Sequence, residues 1–260
     1  MIRPDLPLTL LSRIEDAGLN ASAPPQQRWV DGWLLRFSPG KAKRARCVQP
    51  VADGRLPLDA RLALCAAVLA DADLPMVVRI TPFSRPEGLD AELAVRGYHA
   101  LDDTRVMVTT ELPAAAEALP EGLRLERLDA YAFAEAVGEL RGSPAAQRAA
   151  QAERLAASPV PYRGWALQRP EDGAILACGQ TATEGELVGL YDVFTHPAAR
   201  GQGLARRLCS GLLAHARADG ARVAYLQVDA DNAPARAIYH RLGFADGYAY
   251  HYRAPDPAAH

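Results

Sequence analysis

At 260 residues, the chain is longer than one small core needs and suits two domains of ordinary size. With 49% hydrophobic residues, 23% charged residues and a formal net charge of −2, it reads as a globular protein without the global positive field that draws a chain to nucleic acid or acidic membranes. Neither is expected as a partner. The start, Met1-Ile-Arg-Pro-Asp, has no apolar run of signal-peptide length, and no stretch nears the roughly 20 apolar residues of a membrane span, so the cytoplasm is the expected compartment. Cys47, Cys65, Cys178 and Cys209 form no Cys-x-x-Cys pair. That speaks for reduced core thiols and against a zinc site or a disulfide framework.

In chain order, Leu8 to Ala17 places Leu8, Leu11 and Ile14 on one helical face. Trp29 to Phe37 reads as a strand that ends in a turn at Ser38-Pro39-Gly40, with Arg46 to Val51 as the returning strand. Asp59 to Ala70 is a helix carrying Leu62, Cys65, Ala66 and Leu69 at helical spacing, and Met76 to Thr81 is a short buried strand. Leu89 to Arg96 is a helix stopped by Gly97, and Arg105 to Thr110 alternates as a closing strand. Between Glu111 and Pro120 two prolines among alanines break the periodicity. This predicts a linker over 113–121 that separates a domain at 1–112 from one at 122–256.

The second half continues with a strand over Leu123 to Leu128 and helices over Ala130 to Leu140 and Pro144 to Ala157. Strands follow near Gly164 to Gln168, Ala174 to Thr181 and Glu186 to Thr195. Two helix–strand units close the chain: Gly203 to Ala218 into Val223 to Val228, and Ala233 to Leu242 into Gly247 to Tyr252. The order is that of an α/β protein with a mixed sheet, not an all-parallel alternation.

Two stretches carry chemistry. In the first, a strand runs into Pro197-Ala-Ala-Arg200-Gly201-Gln202-Gly203-Leu204-Ala205 and then a helix with Leu204, Leu208, Leu212 and Ala216 on one face. Glycines here let the backbone approach a ligand, and the helix start leaves N–H groups without internal acceptors. With the helix dipole these suit a pyrophosphate, and Arg200 adds charge. A plain helix cap and a dinucleotide site are the alternatives. Against the dinucleotide site, Arg206 stands where Gly-x-Gly-x-x-Gly needs a third small residue, and the loop comes late in its domain. The second stretch is Asn232-Ala-Pro-Ala235-Arg-Ala-Ile-Tyr239-His-Arg-Leu-Gly243-Phe244, in which Asn232 is a good helix cap and Gly243 a good stop.

Together these stretches resemble the GNAT superfamily of N-acetyltransferases: Arg200-x-x-Gly203-x-Ala205 is similar to its pyrophosphate loop, and Asn232-x-x-Ala235-x-x-x-Tyr239-x-x-x-Gly243-Phe244 to its second CoA motif. The resemblance covers about Gly122 to Arg253. It implies a twisted mixed sheet splayed between its fourth and fifth strands, with acetyl-CoA as co-substrate in the cleft and no metal. Carried over, backbone groups of Val193, Phe194 and Thr195 would hold the pantetheine arm. Amides of Gly201, Gln202, Gly203, Leu204, Ala205 and Arg206 would cradle the pyrophosphate, with Arg200 beside them. Asn232 and Ala235 would flank the pantetheine or acyl region, and Tyr239 would sit near the sulfur.

A neutral amine attacking a thioester needs a proton acceptor, a polarised carbonyl and a donor for the thiolate. Direct attack is expected, with Tyr239 as the donor and Cys209 inside its helix and away from the thioester. For the acceptor, Asp192 or a water it orients is proposed, a hydrogen-bonded strand-end carboxylate being the equal alternative. Glu186 is second choice and shares Asp192's side of the sheet if strict alternation holds. His196 reads as a surface residue. The acceptor itself would be a primary amine of a small molecule or peptide. A non-catalytic CoA-binding sensor is the competing reading, and a homodimer is left open.

The first half echoes the second at Leu93-Ala-Val-Arg-Gly97-Tyr98 but has no Arg-x-x-Gly-x-Ala loop. The stretch Asp31-Gly-Trp-Leu-Leu-Arg-Phe with Gly40 is similar to the N-terminal portion of tandem-GNAT proteins. The expectation is a degenerate GNAT-like domain that has lost cofactor binding and helps wall the acceptor pocket. Trp29 and Trp33 are expected in the core, with a pocket-lining role for them and Arg36 as the functional alternative. The basic run Lys41, Lys43, Arg44, Arg46 reads as a solvated turn, or as a contact for an acidic acceptor or the CoA 3′-phosphate.

Overall fold

The computed structural model describes residue 3, residues 5–38, residue 40 and residues 42–258. Pro39 and Lys41, assigned above to a turn and to the basic run, lie outside the described residues. The chain divides into two units. The first takes the described residues up to Arg105, Asp229–Asp231 and those from Gly247 on; the second takes Val106–Val228 and Asn232–Asp246.

In the first unit α1 (Leu8–Ala21) buries Leu11, Ile14 and Ala17. Leu8, on the same face by spacing, is exposed. The single strand expected over Trp29 to Phe37 is instead a hairpin of β1 (Gln26–Val30) and β2 (Trp33–Phe37). Asp31 (φ 43°) and Gly32 (φ 85°) turn it, both left-handed, which is what a tight two-residue hairpin with the strands' own twist demands. The turn puts Trp33 in the core at 0% exposure and leaves Trp29 at 64%, so core packing holds for one tryptophan and not the other. The Trp33 indole donates to the Arg85 carbonyl (2.9 Å). Arg36 is also buried, and its guanidinium reaches the Leu19 and Arg44 carbonyls, the Ser22 hydroxyl and the Gln27 amide oxygen.

The unit continues with β3 (Val48–Gln49), α2 (Leu58–Ala70), β4 (Val78–Ile80) and α3 (Leu89–Val95). β2 pairs antiparallel with β3, and β3 parallel with β4. β4 pairs antiparallel with the end of the chain's last strand, β11 (Ala245–Ala254), through Ile80↔His251. Trp33, Leu35, Val48, Cys65, Leu69, Val78 and Leu93 form the core between sheet and helices. The strand β5 (His99–Thr109) begins in this unit and ends in the second.

Residues 110–123 carry neither helix nor strand. The second unit then builds β6 (Arg124–Leu128), α4 (Ala130–Arg141), α5 (Ala145–Ala156), β7 (Tyr162–Gln168), β8 (Ile175–Glu184) and β9 (Leu187–Thr195). Next come α6 (Leu204–Ala218), β10 (Val223–Asp229) and α7 (Ala233–Arg241). The strands β6 to β9 are successive antiparallel neighbours, and β10 joins β9 in parallel. That mixture makes the α/β mixed sheet expected from sequence.

Local chemistry sets the helix ends. The Asp129 carboxylate caps α4 by accepting from Ala132 N–H (2.8 Å), and the Asn232 side chain caps α7 by accepting from Ala235 N–H (3.2 Å), each satisfying a donor that the first turn cannot. One sheet face packs α6 through Leu204, Leu208, Leu212 and Leu213 against Leu167, Val188 and Leu190. The other packs α4 through Phe133 and Val137 against Cys178. All four cysteines are free and buried. No described helix is long and apolar enough to cross a membrane.

Candidate functional site

The site begins where two strands part. Pairing of β9 with β10 runs from Leu187↔Val223 to Leu190↔Leu226 and ends there. At the fork the Tyr191 hydroxyl donates to that of Tyr225 (3.0 Å), with the rings edge to face. Beyond it, β9 keeps only its β8 partner, through Phe194↔Cys178 and Thr195↔Ala177. The backbone of Asp192 to Thr195 therefore has its second edge open to a ligand, as a strand edge presents unpaired N–H and C=O groups. The Thr195 hydroxyl is buried without a hydrogen-bond partner, an orphan that a bound polar chain can satisfy.

Past Thr195, a short helical turn at Pro197–Ala199 leads to Arg200. The His196 ring nitrogen accepts from Ala198 N–H (3.2 Å), so this exposed histidine caps the turn. Arg200 lies over the Phe194 ring (5.6 Å). Gly201 and Gly203 both have left-handed backbones, φ 79° and 72°, and Gly203 precedes α6 without any side-chain cap. The N–H groups of Leu204, Ala205 and Arg206 then point out of the first turn with no acceptor in the helix, a ready anion cradle. Arg206 pairs with Glu117 (3.1 Å). Arg207, which belongs to neither motif, donates to the carbonyls of Gln202 (3.3 Å) and Ala118 (3.0 Å) and so pins the loop.

Tyr239 lies on α7, half-buried beside Phe244 and packed on the α6 core together with Ala235. Burial, with Cys209 close by as a second cause, pushes its hydroxyl well above the ordinary tyrosine range. It stays protonated at neutral pH and so has a proton to donate. Cys209 is fully buried, and burial alone pushes its thiol up to about 12, which removes the thiolate that a nucleophile needs. The Asn232 side-chain oxygen is taken by its capping bond.

Asp192 has φ 51° and sits in a bulge, where the β8 register jumps between Gln180↔Tyr191 and Cys178↔Phe194. Its carboxylate accepts from Arg141 (2.9 Å), Gln180 (2.8 Å) and Gln151 (3.4 Å). The bulge also overturns the alternation argument for Glu186. Val188 and Leu190 pack with α6, while Asp192 turns to Arg141 on α4 and Gln151 on α5, so even-numbered positions do not share a face. Glu186 lies in the β8–β9 turn, at the far end of β9. Arg141, Gln151 and Gln180 are the site residues that sequence reasoning missed. Each meets Asp192 only through the tertiary fold.

Among the described residues no group of three or more His, Cys, Asp or Glu side chains could hold a metal ion. Residues 130–244 match the acetyltransferase (GNAT) family.

This segment is similar to the GNAT family.

The GNAT match contains the fork, the glycine loop and Tyr239. The mycothiol acetyltransferase of Corynebacterium glutamicum (strain R) is 49% identical over 59 residues, which is 23% of this chain and 20% of that protein. The chain spans between 20% and 57% of the length of the curated relatives it matches. A GCN5-related N-acetyltransferase from Kribbella flavida superimposes with a TM-score of 0.70 at 18% identity, covering 96% of both chains. A tandem GNAT protein from the clavulanic acid biosynthesis pathway does so with a TM-score of 0.62 at 17% identity, covering 77% of this chain and 70% of its own. At such identities the likeness is one of fold, and it extends over both units.

Proposed function

We propose that the protein is an acetyl-CoA-dependent N-acetyltransferase that moves an acetyl group to a primary amine of a small molecule or peptide by direct attack. The observation that carries this reading is the fork after Leu190 and Leu226, with the uncapped start of α6 beyond it. Strand edge and helix start together offer a pantetheine arm its backbone partners and a pyrophosphate its amides. Every curated relative that matches the chain is named an acetyltransferase. Residues 122–256 act as the catalytic domain and 1–112 as a degenerate GNAT-like domain, joined by 113–121, in the cytoplasm.

In this mechanism the co-substrate supplies an activated acyl group and a thiolate leaving group. Val193, Phe194 and Thr195 hold the pantetheine arm on their open edge, and N–H groups there face the negative charge developing on the thioester oxygen. Gly201 to Arg206 bind the pyrophosphate. Tyr239, kept protonated by burial, donates to the departing sulfur. Asp192, held by Arg141 and two side-chain amides, takes the amine's proton directly or through a water.

A thiol-release assay with acetyl-CoA and a panel of amines, run on the wild type and Tyr239→Phe, tests this. The expected result is turnover on at least one amine, reduced about 10²-fold or more in the variant with acetyl-CoA affinity little changed. Tight acetyl-CoA binding without turnover on any amine would favour a CoA-binding sensor instead.

A further inference from the structure

The first unit carries a cavity of about 660 Å³ lined by none of the residues assigned above to the transfer reaction. Its lining includes the basic residues Lys43, Arg44 and Arg46, the hydroxyl-bearing Thr104, Tyr250 and Tyr252, and the carboxylates of Asp102 and Asp229. Lys43 is neutralised by Asp102 (2.7 Å). Arg46 is half-buried; its backbone N–H donates to the Lys43 carbonyl (2.9 Å), and its guanidinium makes no hydrogen bond or ion pair among the described residues. A partly desolvated guanidinium without a counter-ion is unfavourable, and it marks a place where an anion gains.

The hydroxyls point the same way. Tyr252 is 4% exposed and Thr104 5%, yet neither hydroxyl has a hydrogen-bond partner among the described residues. Both residues line the cavity, where a ligand can supply the hydrogen bonds that these hydroxyls do not make within the protein. Burial, then the neighbouring Tyr250, pushes the Tyr252 hydroxyl well above its ordinary range, which leaves it a donor. Tyr250 stands edge-on to it at 5.7 Å and is itself covered by the Arg79 guanidinium at 3.8 Å, so this wall is fixed.

The loop that supplies the cations is fixed as well. The Arg44 carbonyl accepts from buried Arg36 (3.3 Å) and buried Gln49 (3.4 Å), whose own positions are set by the sheet and α1. Such support from beneath is what preorganises a binding site. The volume suits a small metabolite. Lys43 and Asp102 cancel each other at the cavity wall, and Asp229 is exposed.

We propose that this cavity is an anion-binding site that takes the carboxylate or phosphate group of a small molecule, with Arg46 as counter-ion and Tyr252 and Thr104 as hydroxyl donors. The inference is independent of the transfer reaction.

Titration of the full chain with inorganic phosphate and, separately, with acetate tests it, at constant ionic strength so that screening does not change. Binding is followed by NMR of arginine side-chain N–H signals. Saturable binding of at least one anion is expected, weakened about tenfold or more in Arg46→Met and less in Tyr252→Phe. Arg46→Lys, which keeps the charge, should recover most of it, and thermal melting shows that each variant is folded. Tighter binding of phosphate marks a phosphorylated ligand, and of acetate a carboxylate. No saturable binding of either anion, or equal binding by the wild type and folded Arg46→Met, would overturn the proposal.

Discussion

Replacing Gly203 by alanine separates the loop's conformational role from its ligand role. Gly203 sits at φ 72° immediately before α6, where an L-residue costs about 1–2 kcal/mol. A Cβ there would stand 2.9 Å from the end of the Arg207 side chain, which can yield. At about 2–4 °C per kcal/mol for a unit of this size, melting should fall by roughly 2–8 °C. The effect on acetyl-CoA should be larger. If the backbone relaxes from the left-handed region, the N–H groups of Leu204 and Ala205 swing off the pyrophosphate, and each charge-assisted hydrogen bond lost costs about 1.5–3 kcal/mol. Losing two weakens binding about a hundredfold or more. Gly185→Ala is the matched control. That glycine is also left-handed (φ 58°), has nothing within 4 Å of a Cβ position and turns β8 into β9, away from the loop. It should melt lower by a similar amount and bind acetyl-CoA as the wild type does. Calorimetric titration and thermal melting on both variants suffice. A Gly203→Ala protein with acetyl-CoA affinity within about threefold of wild type, under 1 kcal/mol, would refute the loop assignment.

Asp192→Asn keeps the side chain's size and should leave acetyl-CoA affinity unchanged while lowering turnover by about 10²–10⁴-fold, the usual worth of a general base. Steady-state kinetics with unchanged kcat would remove Asp192 from that role. Burial raises the thiols of Cys47, Cys178 and Cys209 to about 12 and that of Cys65 to about 11, so a thiol reagent at pH 8 should label none of the four until urea unfolds the chain. The same shifts fix a pH dependence. The folded pKa lies above the unfolded value of about 9, so the native state keeps protons that the unfolded state loses. Stability is then full below about pH 9 and falls as pH rises towards 12, by up to about 1.4 kcal/mol per thiol and pH unit. Urea melts at pH 8 and pH 10 check the sign, and greater stability at pH 10 would contradict it.

Features written in local chemistry were legible in the sequence. The cap at Asn232, the apolar face of α6 and the glycines at 201 and 203 each act within a few residues, and the structure uses them as the spacing predicts. The Asp31-Gly32 turn was legible too, since Asp-Gly between apolar runs is a hairpin signal. The aromatic density of Trp29 to Phe37 masked it, and with it the exposure of Trp29. What the sequence could not show depends on contacts distant along the chain. The bulge at Asp192 breaks a period-2 reading, and the glycine beside it, Gly179, lies on the partner strand where the register jumps. Arg141, Gln151 and Gln180 lie 51, 41 and 12 residues from Asp192 and share no motif with it. Residues 247–254 of β11 likewise belong with the first unit, because the pairing of His251 with Ile80 is set by a partner strand far earlier in the chain.

The fate of the acetyl group tests the central claim most directly. Wild-type protein incubated with acetyl-CoA and the amine panel, analysed by mass spectrometry of both small molecules and intact protein, should yield free CoA together with an N-acetylated amine and leave the protein mass unchanged. Acetyl-CoA bound but intact with every amine, or an acetyl group accumulating on the protein, would contradict transfer by direct attack.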